Sequence, residues 1–159
     1  MNFQSLSALE VYLTKMIKDS MEDVGKKCEV VVREKIEEEV YQNPVNPSTY
    51  ERTRELKNSL IHTSPVQNGS EIITEIKHET DLIGSYSPNQ HMSVQTGEPF
   101  IEPLAEVVNY GKAGHIFGEG YWTEPRPYMD DAREEIKQDK LHVQSLKESL
   151  RNKGIQVEG

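Results

Sequence analysis

Apolar residues recur at Leu6, Leu9, Leu13, Met16, Ile17, Met21, Val24, Cys28, Val31, Val32, Ile36 and Val40. The steps are mostly three and four, the spacing of one face of an α-helix. Glu10, Lys18, Asp19, Glu22, Lys26, Glu29, Glu34 and Glu37 lie mainly off that stripe. Ser5 or Ser7 is placed to cap the helix start. Gly25 weakens the middle and predicts a bend. The pattern extends over roughly ten turns, long for a chain of 159 residues. Such a helix packs across a sheet or reaches a partner. The charges flanking the stripe do not alternate in the manner of a coiled coil.

Asn43-Pro44 and Asn46-Pro47 stop the pattern and predict a connecting loop over 41–49, because proline disfavours helix at the residue before it. A short helix is expected to open at Tyr50, capped by Ser48 or Thr49. It feeds two strand-like runs, Ser59 to Val66 and Ser70 to Lys77, separated by Asn68-Gly69. Asn-Gly favours a type I′ hairpin turn, and Pro65 ends the first strand early or places it at an edge. Residues 79–98 read as a long loop, a length that often belongs to function. A short helix follows, with Pro103 in its first turn and Gly111 as C-terminal cap. The run from Gly111 to Trp122 reads as a flexible glycine-rich loop with aromatic anchors. Pro125-Arg126-Pro127 is an extended lead into one last helix carrying Tyr128, Met129, Ala132, Ile136, Leu141, Leu146 and Leu150. Residues 152–159 are expected to fray. The expected fold is α+β and a single domain over 1–159. A charged fraction of 28% against 35% apolar predicts a modest core that completes its burial by assembly.

A net charge of −9 works against sequence-independent DNA binding. The lone Cys28 fits a reducing compartment and reads as a small buried hydrophobe rather than a nucleophile. The first residues show no signal-peptide pattern and no run long enough to span a bilayer, so a cytosolic protein is expected. His62, His78, His91, His115 and His142 are scattered. His78-Glu79-Thr80-Asp81 lacks the second histidine of a zincin, and a metal site from His78, Asp81 and His91 is the residual enzyme reading. The glycine-rich run fits neither a P-loop nor a dinucleotide fingerprint, and no Gly-x-Ser-x-Gly occurs. Arg126 is able to clamp a carboxylate, but with no acid–base partner in the sequence a structural role is favoured. No enzyme, cofactor or metal is expected.

Three blocks in order carry a family resemblance. They are Thr53-Arg54-Glu55-Leu56-Lys57-Asn58-Ser59 before the hairpin, Ala105-Glu106-Val107-Val108-Asn109-Tyr110-Gly111-Lys112, and Pro125-Arg126-Pro127-Tyr128. Together they resemble the minor structural proteins of tailed phages that complete the head–tail junction or the connector-proximal tail end. That family has Thr-Gly-x-Leu-x-x-Ser in the first block, Glu-aromatic-Gly-Thr at the end of the second and Pro-Arg-Pro-Phe in the third. Here Arg54 stands for its glycine, Asn109 for its acid, Lys112 for its threonine and Tyr128 for its phenylalanine. The resemblance implies a ring, six-fold on assembly, that contacts connector or adaptor and tail-tube or tail-terminator proteins. It implies no cofactor and no specific nucleic acid, and a location in the host bacterial cytoplasm and then the virion. Arg52, Thr53, Leu56, Tyr110, Tyr121, Trp122, Arg126 and Tyr128 are the candidate protein-contact residues. A ring needs one patch to meet a different patch on the neighbour. The hairpin with its following loop is expected to meet the neighbour's helix face, and Tyr121 and Trp122 the next protein along the axis. The competing reading is a small cytosolic bacterial adaptor or regulator that binds a protein through its N-terminal helix.

Overall fold

The computed structural model of the chain describes residues 3–42, 54–79, 104–111 and 125–157. The fold is α+β. Its elements are α1 (Leu6–Lys35), continued as π-helix over Ile36–Tyr41, then α2 (Glu55–Asn58) and strands β1 (Leu60–His62), β2 (Val66–Asn68), β3 (Glu71–Ile73) and β4 (Ile76–His78). Helices α3 (Leu104–Tyr110), α4 (Tyr128–Gln138) and α5 (Leu141–Asn152) follow. β1 pairs with β4 and β2 with β3. The chain divides into two compact units, the first holding residues 1–30, 62–77 and 135–159, the second 31–61 and 78–134. No helix among the described residues is long and apolar enough to cross a membrane.

In the first unit Ser5 starts α1, its Oγ accepting the Ala8 amide at 3.1 Å. That satisfies one of the free N–H groups of a helix start. The helix runs through Gly25 without interruption. Gly25 is buried because the hairpin base lies against it. A Cβ there would stand 3.0 Å from His62 Cδ2 and 3.1 Å from Thr74 Oγ1. The hairpin turn is Gly69-Ser70 rather than Asn68-Gly69, because Asn68 pairs with Glu71. Gly69 alone of the two central residues has positive φ, the II′ arrangement rather than I′. The strands part around Pro65, as expected, and rejoin where the Thr63 amide donates to the Glu75 carbonyl at 2.8 Å. Thr63 and Thr74 exchange side-chain bonds with that joint, at 2.9 Å to the Glu75 amide and 2.7 Å to the Thr63 carbonyl. α5 is fastened to α1 by Asp23, whose Oδ2 accepts from Ser149 Oγ at 2.5 Å and Lys153 Nζ at 2.9 Å. Those two donors hold the Asp23 carboxyl below its usual range. The single last helix of the sequence reading is two helices. Lys140 at φ 53° breaks the run between them, and Gly154 at φ 82° turns the chain after α5.

In the second unit the α1 stripe is buried at Val31, Val32, Ile36 and Val40. Leu56, Leu60, Val108, Tyr128 and Ala132 complete that core. Arg33 reaches across to donate to the Lys57 and Leu60 carbonyls, satisfying backbone acceptors at the end of α2 and the start of β1. The short helix is Glu55–Asn58; the expected start at Tyr50 and its caps Ser48 and Thr49 lie outside the described residues. α3 ends at Gly111, whose φ of 67° is the left-handed cap expected there.

Candidate functional site

The three sequence blocks meet inside the second unit, around His78. Ser59 closes the first block at the start of β1 and is fully buried. Its Oγ donates to the Leu56 carbonyl at 3.0 Å, which leaves it to accept a hydrogen bond from His78 Nδ1, 2.9 Å away. His78 Nε2 is then an acceptor, and the Tyr128 hydroxyl donates a hydrogen bond to it at 2.9 Å. The Ala105 carbonyl, 3.3 Å from the same hydroxyl, is the longer alternative. The Tyr128 and His78 rings meet edge-on with centroids 5.8 Å apart. Burial pulls the His78 pKa down to about 4 and pushes the Tyr128 hydroxyl well above its ordinary value. Both groups are therefore neutral at physiological pH.

The second and third blocks join by backbone. The Arg126 amide donates to the Val108 carbonyl at 2.9 Å. Asn109, buried in α3, accepts the Met129 amide on Oδ1 at 3.0 Å and donates through Nδ2 to Asp130 at 3.4 Å. Asn109 thus caps the first turn of α4 from a separate element. The acceptor oxygen is what this place requires, and asparagine supplies it where the resembled pattern has an acid.

A serine 2.9 Å from a histidine invites a nucleophilic reading. The geometry does not favour it here, because the Ser59 hydroxyl is engaged by the Leu56 carbonyl, and Ser59 and Tyr128 have no solvent exposure. The cluster is a buried fastening between β1, β4, α3 and α4. His78 is also the described member of the metal reading, and both its ring nitrogens are engaged in this way. Asp81 and His91 lie outside the described residues. Among the described residues no three His, Cys, Asp or Glu side chains are placed to hold a metal ion.

The candidate contact residues separate accordingly. Leu56 and Tyr128 are core residues, not surface contacts, because the α2 turn and the first turn of α4 face inward. Arg126 is half-buried and its guanidinium approaches the Val40 carbonyl at 3.5 Å. Tyr110 is 65% exposed. Arg52, Thr53, Tyr121 and Trp122 lie outside the described residues. Cys28 is buried as expected, and burial pushes its thiol pKa up.

Sequence reasoning missed two charged clusters. In the first unit His62 sits between two carboxylates of α1, with Nδ1 2.5 Å from Glu29 and Nε2 3.1 Å from Glu22. The Glu29 bond is the main reason its pKa is raised, and the His62 bond is the main reason that of Glu22 is lowered. Glu22 and Glu29 are two turns apart on one helix face, the only signal the sequence held. In the second unit Glu39 is raised to about 7, first by burial and then by Asp131. On the surface, the first turns of α1 leave Leu6, Leu13 and Ile17 exposed, and the hairpin leaves Val66 and Ile73 exposed.

Residues 5–152 match the model of the protein family described as YomN. No curated protein and no solved structure matches the chain. With nearly its whole length inside that match, the chain belongs to the YomN family, which derives from phages and prophages, and it is a phage-related protein.

Proposed function

We propose that the chain is a phage or prophage structural protein that completes the head–tail junction or the connector-proximal tail end. It acts by ring assembly and protein contact, with no catalysis and no cofactor. The observation that carries this reading is the convergence of the three resembled blocks within one buried unit, where Ser59 and Tyr128 meet on His78 and Asn109 holds the amide of Met129, the residue after Tyr128. Motifs used in this way define a fold to be repeated in an assembly, while the exposed apolar residues supply its surfaces. In this reading the ring is six-fold and sits between connector or adaptor and tail-tube or terminator proteins. Tyr121 and Trp122 meet the axial neighbour. The acidic balance of −9 favours a lumen that repels DNA rather than gripping it. The chain is made in the host cytoplasm and ends in the virion.

Purified particles from the producing phage test this directly. The chain should sediment with tailed particles at a stoichiometry matching one ring, and its deletion should leave heads and tails unjoined. Deleting 114–121 should abolish incorporation. Particles that join and infect without the chain would overturn the reading. The open α1 face also supports the adaptor reading, in which the chain binds one host or phage protein and is absent from particles.

A further inference from the structure

We infer that His62 is a proton-dependent clasp within the first unit: while its imidazole carries a proton on both ring nitrogens it fastens the hairpin base to α1, and when one of those protons leaves, the hairpin loosens. The inference is independent of the junction reading. Nδ1 stands 2.5 Å from Glu29 Oε2 and Nε2 3.1 Å from Glu22 Oε1. An ionised carboxylate only accepts hydrogen bonds, and a neutral imidazole has a single N–H. A carboxylate at each nitrogen is therefore satisfied on both sides only by the imidazolium. The direction of titration agrees. The Glu29 bond above all raises the His62 pKa, and the His62 bond above all lowers that of Glu22.

Glu22 and Glu29 are two turns apart on one face of α1, and Gly25 between them makes room for the ring. A Cβ there would stand 3.0 Å from His62 Cδ2 and 3.1 Å from Thr74 Oγ1. Apolar burial holds the hairpin only weakly beside this. β2 is exposed along its whole length, and β3 is half-buried only at Ile72. The ladder is three residue pairs, and a two-stranded ribbon is marginal on its own. The seating of the hairpin on α1 therefore depends strongly on the clasp.

Charges on three elements surround it. On α1, Lys18 and Asp19, of opposite sign, precede Glu22 by one turn, and Lys26 Nζ lies 3.6 Å from Glu22 Oε1. Arg33, one turn beyond Glu29, donates to the Lys57 and Leu60 carbonyls. On the hairpin, Glu71 is exposed at the turn, and Glu75 and Lys77 are exposed on either side of half-buried Ile76. α5 meets α1 at Asp23, which is engaged by Ser149 and Lys153. The two arms of the clasp are unequal. The Glu29 side chain is 16% exposed against 33% for Glu22, and it has the shorter bond. Glu22 has Lys26 as a second cation. The proton that leaves is therefore the one on Nε2, with Glu22 turning to Lys26 and Glu29 keeping the Nδ1 proton. The clasp is closed below about pH 6.5 and opens as pH rises through the raised His62 value.

The test follows hydrogen exchange of the full chain between about pH 6 and about pH 9, across the range in which a raised histidine titrates. Proton–nitrogen correlation spectra of the histidine rings accompany it. Glu39 titrates at about 7 in the second unit, so local amides rather than global unfolding are the measure. With the intrinsic base-catalysed rate divided out, protection over residues 66–73 should fall several-fold through the His62 titration, while protection in α5 holds. The His62 ring should carry two protons at the acid end and a proton on Nδ1 alone at the alkaline end. Glu22→Gln, a change at the more exposed arm, should lower the pH at which the hairpin loosens. His62→Gln should make hairpin protection independent of pH. A singly protonated ring at the acid end, hairpin protection unchanged through the titration, an equal loss in α5, or an unmoved midpoint in Glu22→Gln would each overturn the inference. The wild-type profile needs no variant, so misfolding of either substitution leaves it decisive.

Discussion

At the residue scale, one departure from the resembled sequence pattern has a physical location. Arg54 stands where that pattern has glycine, and it has φ 62° at the start of α2. Left-handed backbone costs a side-chain-bearing residue roughly 1 kcal/mol that glycine does not incur. Arg54 offsets the cost through an ion pair to Glu37 at 3.2 Å and its position 5.5 Å over the Tyr41 ring. Exposed contacts of this kind contribute up to about 1 kcal/mol each. Arg54→Ala keeps the strain and loses the contacts, whereas Arg54→Gly loses both. Urea unfolding should therefore rank Arg54→Gly above Arg54→Ala by about 1 kcal/mol; the reverse order would show that the conformation is not what selects glycine. Tyr128 gives a second prediction. Tyr128→Phe keeps the ring in the core but strands His78 Nε2 as a buried acceptor. The expected cost is about 1–3 kcal/mol, read as a lower urea midpoint at unchanged slope.

At the element scale, helix propensity and packing pull Gly25 in opposite directions. Alanine in a helix interior is favoured over glycine by about 1 kcal/mol. Here the added Cβ meets His62 at 3.0 Å, and His62 is held on both ring nitrogens by Glu22 and Glu29, so it cannot move aside cheaply. Gly25→Ala should destabilise the wild type, and clearly less in a His62→Ala background, where the 3.0 Å contact is gone and the Thr74 Oγ1 contact at 3.1 Å remains. Equal effects in both backgrounds would break the argument. The same position shows the reach of the sequence reading. Periodicity gave α1 and its buried face, and Ser5 gave its start, because helix period and capping are local properties. Local signals gave the hairpin and the Gly111 cap as well. The close packing that requires glycine at position 25 was not legible, because it depends on His62, a residue 37 positions away by number. The break at Lys140 was equally hidden, since lysine carries no turn signal. Of the candidate contacts, Leu56 and Tyr128 turned inward because block order reveals that motifs matter, not which way their side chains face.

At the scale of the whole molecule, two buried titrations of opposite sign are set within the second unit. His78 binds its proton near pH 4 when folded and near about 6.5 when unfolded. Between those values the unfolded chain holds the extra proton, so acidification costs stability, by about 2–3 kcal/mol when unopposed. Glu39 does the reverse. Its folded value of about 7 lies above the ordinary 4.5, so the folded chain takes up the proton first and gains stability as pH falls through the same interval. The other described groups with a perturbed value change little over most of this window. Glu22, Asp23 and Glu37 have lowered values, so their contributions are lost only toward and below the ordinary carboxylate range. His62 has a raised value, so its contribution is complete below about pH 6.5 and is lost only as pH rises through that raised value. The wild type should therefore show a shallow dependence of unfolding free energy between about pH 6.5 and about pH 4.5. Glu39→Gln removes one arm of the balance while keeping a side chain that is able to hydrogen-bond Asp131. Its stability should exceed wild type near neutrality and then fall steeply on acidification, because His78 titrates unopposed. Urea midpoints at several pH values measure the slope directly. If Glu39→Gln ran parallel to the wild type, Glu39 would not be the group that balances His78, and the flat profile would need another origin.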